Sequence, residues 1–259
     1  MLARLPRLTE PECAARQDGT VEVAEAGINN GSATPEFGTR NDWLLRQLAD
    51  SAFPTGGFAH SGGLEAAWQH GELGNSTKLM GFMVASICQL GHGSLPFMTA
   101  AHREPDKVAE LDRLSESFIT NHVANRASRL QGQALLASAE RIFGGIPQPS
   151  IRQFTGPSQP HCHLAPVFGL VMHSVGIDRE SASRLFFFIH LRGLAASAVR
   201  LGIVGPLEAQ ALQHRLGPSA EVMMARCQDL PIDDIAQTAP LLELWQGAQD
   251  RLYSRLFQS

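Results

Sequence analysis

Residues 185–199, bracketed by Arg184 and Arg200, place Leu185, Phe186, Phe187, Phe188, Ile189, Leu191, Leu194, Ala196 and Val199 on every side of a helical wheel. A helix that is apolar all round leaves no face for water. It belongs in the middle of a bundle or at an interface between subunits. Its small residues (Gly193, Ala195, Ala196, Ser197, Ala198) let neighbouring backbones approach closely. A membrane span needs about 20 predominantly apolar residues, and His190, Arg192 and Gly193 interrupt this stretch, so no span is expected. The remainder of the chain must then supply partners for a buried helix.

The flanking patterns are helical almost throughout. Asp42 can N-cap a helix with Trp43, Leu44, Leu45, Leu48 and Ala49, ended by Pro54. After a glycine-rich loop, Leu64, Ala67 and Trp68 mark a short helix. Ser76 or Thr77 opens the next, with Leu79, Met80, Met83, Val84, Ile87 and Leu90 at spacings of one, three and four. Residues 108–143 contain no proline and predict one long helix or a broken pair. Residues 144–162 are rich in proline and glycine and read as a loop. Helices resume over 164–175, after Asp178 as N-cap, and at Gly205-Pro206, where proline takes the first helical position. A last helix is expected over 240–256, with Leu241, Leu244, Trp245, Ala248, Leu252 and Leu256 on one face. No alternating strand pattern of five residues stands out. The expected fold is all-α: a single-domain helical bundle over residues 41–259 with a buried central apolar helix, preceded by a flexible extension over residues 1–40, where Asn29-Asn30-Gly31-Ser32 and scattered prolines carry no apolar period.

Charge and cysteine content narrow the function classes. With 21 Lys+Arg against 25 Asp+Glu the net charge is −4, which gives no general basic surface for nucleic acid. The four cysteines, Cys13, Cys88, Cys162 and Cys227, lie far apart with no CxxC pair, as in a reduced, cytoplasmic protein. The N-terminus has no continuous apolar segment of the kind a secretory signal carries.

The loop from Phe53 to Glu65 holds Gly56, Gly57, Gly62 and Gly63 with the pair His60-Ser61, and it invites three enzymatic readings. A phosphate loop needs a Lys that is absent between Arg46 and Lys78. A nucleophile elbow around Ser61 needs glycine where Ala59 stands, and a preceding strand. A dinucleotide fingerprint fails in spacing and lacks a βαβ unit. Gly56, Gly57, His60, Ser61 and Gly62 are therefore read as a structural turn. Among ten histidines, only His161-Cys162-His163 is a local cluster. Its donors suit nickel, zinc or copper, which makes these three residues weak metal candidates.

Five blocks, in order, carry a resemblance. The first runs from Asp50 to Glu65 through Phe53-Pro54-Thr55-Gly56-Gly57-Phe58 and His60-Ser61-Gly62-Gly63. The second is Arg126-Ala127-Ser128-Arg129-Leu130-Gln131-Gly132-Gln133, and the third His163-Leu164-Ala165-Pro166-Val167-Phe168-Gly169. Ala198-Val199-Arg200-Leu201-Gly202 with Gly205-Pro206 forms the fourth, and Leu252 to Ser259 the fifth. The chain resembles the urease accessory protein F family over nearly all of residues 42–259. The resemblance implies an all-α, homodimeric, non-catalytic urease maturation factor. Its implied partners are the urease accessory D/H protein, the nickel-binding urease accessory GTPase and apo-urease. It implies no tightly bound cofactor, nickel being handled by the assembled complex, and a modulated GTP hydrolysis. By position it assigns Arg184, Arg200, Glu65 and Phe58 to the GTPase side, and Tyr253, Ser254, Arg255, Leu256 and Phe257 to the D/H side. Two positions depart from the family pattern: Phe58 stands where some members carry tyrosine, and Gln249-Asp250 replaces a His-acidic pair. A metallochaperone built on His161, Cys162 and His163, and a hydrolase built on His60 and Ser61, are the rival readings.

Overall fold

A computed structural model describes residues 38–144 and 160–259 of the chain. The expected mobile extension, apart from its last residues, and most of the expected 144–162 loop lie outside the described residues. Ten α-helices are named here in chain order: α1 Gly38–Ala49, α2 Leu64–Gln69, α3 Ser76–Gln89, α4 Leu95–Arg103, α5 Val108–Phe118, α6 His122–Phe143, α7 Leu164–Ser174, α8 Arg179–Arg200, α9 Pro206–Cys227 and α10 Pro240–Ala248. They fall within one compact unit, Phe37–Ser259. No strand occurs among the described residues, so the chain is all-α. None of their helices is long and apolar enough to cross a membrane.

Local chemistry sets the helix boundaries. The Asn75 side chain accepts from Lys78 N at 2.9 Å and caps α3, which starts at Ser76, one of the two starts expected from sequence. Asp178 caps α8 by accepting from Ser181 N at 2.9 Å. The 108–143 stretch is a broken pair: Asn121 caps α6 through bonds from Val123 N and Ala124 N. Its amide also donates to Glu243 O at 2.6 Å, tying the start of α6 to α10. Helix α1 begins before Asp42, which lies inside it. It ends at Ala49, where the Arg192 guanidinium donates to the Ala49 carbonyl, and the Asp50 carboxylate turns the chain by accepting from Ala52 N. Pro54 plays no part in that stop. Between α3 and α4 the chain passes through a π-helical turn, Leu90–Ser94, that sequence periodicity did not reveal.

Two glycines fix how the helices cross. A Cβ on Gly132 of α6 would lie 1.9 Å from Cys162 O, and one on Gly169 of α7 would lie 2.1 Å from Met98 O of α4. Neither position tolerates any side chain. The segment entering α7 is pinned by one carboxylate: Asp112, on α5, accepts from the backbone N–H of His161 (2.7 Å), Cys162 (3.0 Å) and His163 (2.7 Å). Cys162 adopts φ 61°, the left-handed region, to present these donors together.

Helix α8 touches α1, α2, α3, α4, α7 and α9. Ten of its 22 residues are buried and most of the others half-buried, but one strip is open: Glu180, Arg184 and Phe188 follow one another at four-residue spacing, and Phe188 is 42% exposed. Arg192 continues the strip and lays its guanidinium over the Phe188 ring at 5.8 Å. Inward, the His190 imidazole shares a 2.7 Å hydrogen bond with Ser86 of α3, and burial lowers its pKa to about 4.

The last helix departs most from the sequence reading. It stops at Ala248, and after the short turn Gln249–Arg251 the chain runs on without helix to Ser259. Leu241 and Leu244, expected on the buried face, are each 65% exposed, and Leu242 is the buried residue. The residues that looked like a helical stripe at Leu252 and Leu256 belong to a tail that folds back.

Candidate functional site

The tail returns to the glycine-rich loop, and the two are joined residue by residue. Gln258 N donates to Ala59 O at 2.8 Å, and Ser61 N to Ser259 O at 2.5 Å, so backbone pairs with backbone as at a sheet edge. The His60 Nδ1 and Ser259 Oγ share a further hydrogen bond. Burial, followed by the nearby Arg126 charge, lowers the His60 pKa and favours the neutral imidazole.

Glu65 is the centre of this joint. It lies on the first turn of α2 and is 1% exposed. Its Oε1 accepts from Leu256 N at 2.6 Å and its Oε2 from Phe257 N at 3.1 Å. Gln249 Nε2 donates to Oε2 at 2.6 Å, and Gln69 Nε2 to Oε1 at 3.4 Å. A buried carboxylate is tolerated where donors converge on it, and here they come from two segments about 190 residues apart. The loop reaches this position because Gly62 and Gly63 take positive φ (63° and 88°). A Cβ on Gly63 would also sit 2.9 Å from Gln246 N of α10. The turn reading of this loop rests on those two residues.

Arg200, at the end of α8, covers the joint. Its guanidinium carbon lies 3.8 Å from the Phe58 ring centre and 4.1 Å from that of Phe257. The same group donates to Phe58 O at 2.5 Å. A planar cation between two aromatic faces is a rigid arrangement that lysine does not reproduce. Phe257 is buried beneath it, whereas Phe58 is 71% exposed on the outside. Beside this stack, Asp250 accepts from Arg126 and Arg255, each at 2.9 Å, with His122 at 3.3 Å. The Arg126 hydrogen bonds, ahead of partial burial, which opposes them, hold the Asp250 carboxyl below its usual range.

The sequence-assigned residues therefore separate into three groups. Phe58, Glu65, Arg200 and Phe257 meet in one place. Glu65 reaches no surface and acts on the tail. Tyr253 is fully exposed, Leu256 is half exposed, and the Ser254 carbonyl accepts from Gln69 at 2.9 Å. Arg184 is elsewhere: it pairs with Glu180 (2.6 Å) and Glu221 (3.1 Å). Sixteen residues of helix separate it from Arg200, about 24 Å. Gln249 and Arg126 were missed as members of the site. Their signal was the amide and guanidinium lying next to Asp250 and in the second sequence block, and it becomes readable only once the tail is known to turn back.

The two rival constellations have other occupations. His163 is fully buried and donates from Nε2 to Glu116 at 2.8 Å, while its Nδ1 is bonded to Ser128 at 3.1 Å. Cys162 is buried, and desolvation followed by the Asp112 charge pushes its thiol up to about 11, which disfavours the thiolate a metal needs. Among the described residues, no group of three or more His, Cys, Asp or Glu side chains could hold a metal ion. Ser61 is buried, and its Oγ accepts from Glu65 N at 3.4 Å, while the neighbouring imidazole bonds Ser259 instead.

Comparison with known proteins agrees with the fivefold sequence resemblance. A sequence model of the UreF family matches residues 73–217. Over 219 residues the chain is 41% identical to the urease accessory protein F of Oryza sativa subsp. japonica, covering 83% of this chain and 84% of the relative. It is 38% identical over 221 residues to that of Arabidopsis thaliana, covering 84% and 92%. The urease accessory protein UreF of Trichodesmium erythraeum is 26% identical over 224 residues, covering 82% and 94%. The chain belongs to the UreF family of urease accessory proteins.

Proposed function

We propose that this chain is a cytoplasmic, homodimeric and non-catalytic scaffold of urease maturation. It holds the urease accessory D/H protein and the nickel-binding urease accessory GTPase together on apo-urease and modulates GTP hydrolysis as nickel is passed on. Nickel is cargo of the assembly, and the chain itself keeps no tightly bound cofactor. One observation carries the bridging role: Arg200, assigned with Phe58 to the GTPase side, lays its guanidinium against the Phe58 ring and also against the ring of Phe257, in the tail assigned to the D/H side. A partner that grips the tail acts on the same cluster of atoms that the second partner meets. Exposed Phe58 offers an aromatic edge, and the Arg200 charge lies behind it for an acidic or phosphate-bearing neighbour.

The test is size-exclusion chromatography with light scattering on the chain alone, then with the D/H protein, then with the GTPase added. A dimer that recruits the GTPase only in the presence of the D/H protein, and loses it on Arg200→Ala, is the expected result. A monomer indifferent to both proteins would overturn the proposal.

A further inference from the structure

Helices α4 and α7 end side by side, and each carries a histidine in its last turn, His102 and His173. The pairing is enforced by the backbones. Gly169 approaches Met98 O and His102 N so closely that a Cβ there would lie 2.1 Å and 2.9 Å away. His173 follows Gly169, and His102 follows Met98, by four residues, one helical turn in each case. The two imidazole centres are 5.4 Å apart with an 80° angle between the rings.

That separation fits a shared metal ion. With metal–imidazole bonds of about 2.0–2.1 Å and a ring radius of about 1.1 Å, an ion lies about 3.2 Å from each ring centre; at a tetrahedral angle two such rings stand about 5.2 Å apart. His102 is also prepared as a ligand. Its Nε2–H donates to Ile177 O at 2.8 Å, so Nδ1 carries the free lone pair. A second bond of this kind, from the far nitrogen to a backbone carbonyl, is what orients metal-binding imidazoles in general. Burial, ahead of the Ile177 carbonyl that works the other way, lowers the His102 pKa and keeps the ring neutral, and the His173 imidazole adds to that lowering. The facing charges are mixed: Asp178 and Arg179 both act on His102. The negative ends of two helix dipoles also converge here, which favours a cation.

The geometry points to a seat for a single borderline divalent transition ion between His102 and His173, with water in the remaining coordination positions. It lies at the opposite end of α7 from His163, about 15 Å along the helix, and shares no residue with the tail joint. Cu(II) is the probe of choice because imidazole sites bind it most strongly among the first-row divalent ions.

The experiment is equilibrium titration of the full chain with Cu(II), reading bound stoichiometry together with nitrogen couplings in the electron paramagnetic resonance spectrum. His173→Ala and His102→Gln are each expected to remove the same one equivalent, weakening its binding at least tenfold, and the double variant to remove no more. His214→Ala, on an exposed position of α9, is expected to titrate as the parent does. His173 is exposed, so its removal leaves the core intact. Parent-like titration of His173→Ala would overturn the proposal and leave the pair as an aromatic contact.

Discussion

Glu65→Gln is the sharpest perturbation of the tail joint, because it changes one atom and no volume. The carboxylate accepts four hydrogen bonds, two at each oxygen. In the amide only one oxygen remains; the NH2 group then faces two donors and opposes them. Whichever way the amide is turned, it forfeits one of the 2.6 Å bonds, from Leu256 N or from Gln249 Nε2. Hydrogen bonds to a charged group contribute about 1.5–3 kcal/mol each, so losing two costs about 3–6 kcal/mol. That is comparable with the whole stability of an ordinary domain, about 5–15 kcal/mol. The cost need not be borne globally. Residues 252–259 can detach as a local unit, and the loss is then limited to the free energy that docks them. Hydrogen exchange followed by mass spectrometry separates the two cases. The expected outcome is that tail amides in 252–259 exchange about two to four orders of magnitude faster, since each 1.4 kcal/mol is tenfold. Protection in α4 and α7 should change little. Unchanged protection of the tail in Glu65→Gln would refute the reasoning, because it would mean that the carboxylate does not hold the tail. Uniform loss across all helices would refute the local-unit argument.

The remaining predictions concern packing, titration and reactivity. Gly132→Ala forces a methyl group onto Cys162 O and should cost about 3 kcal/mol or more, lowering the thermal midpoint by about 6–12 °C in calorimetry. His190 is neutral in the folded chain, with a pKa of about 4 against 6.5 in the unfolded one, so the unfolded state binds more protons between those values and stability falls as pH drops through that window. Urea unfolding should show about 2 kcal/mol less stability at pH 5 than at pH 7 from this group, and His190→Gln should flatten that difference. Cys162, its thiol pushed up to about 11, should react with a thiol reagent at pH 8 only after unfolding. Arg184→Ala should change the unfolding free energy measured in urea by less than about 0.5 kcal/mol, since both its partners are exposed.

The helical class was legible because it depends on spacing and local caps. Asp178, the Gly205-Pro206 start and the broken 108–143 pair are all local signals, and the structure reproduces them. Boundaries failed where a distant group decided them. Helix α1 ends against the Arg192 guanidinium, and α3 is prolonged by a π-turn whose His92 carbonyl receives Ala236 N. The 240–256 helix failed for a different reason. Leu252 and Leu256 hold the right spacing, but the carboxylate of Glu65 offers the tail backbone better partners than another helical turn would. The site was legible only in part. Residue types and family position picked out Phe58, Glu65, Arg200 and Phe257, yet nothing local to the sequence said that they touch. Arg184 looked equivalent to Arg200 because both end an apolar run, and the fold sets them on different surfaces.

The tail joint also has a consequence in time. Glu65 leaves the ribosome 191 residues ahead of Leu256, and His60 precedes Ser259 by 199. At about 5–20 residues per second, the loop waits on the order of ten to forty seconds for its partners to be synthesised. During that interval its carboxylate remains in water, and Arg200, once made, has no second ring to stack on. Helices can assemble around α8 in the meantime, but the cluster of Phe58, Arg200 and Phe257 closes only once Phe257 has been made. A chain that has not yet reached Leu256 can thus have its helices packed while the joint between Glu65 and the tail is still open.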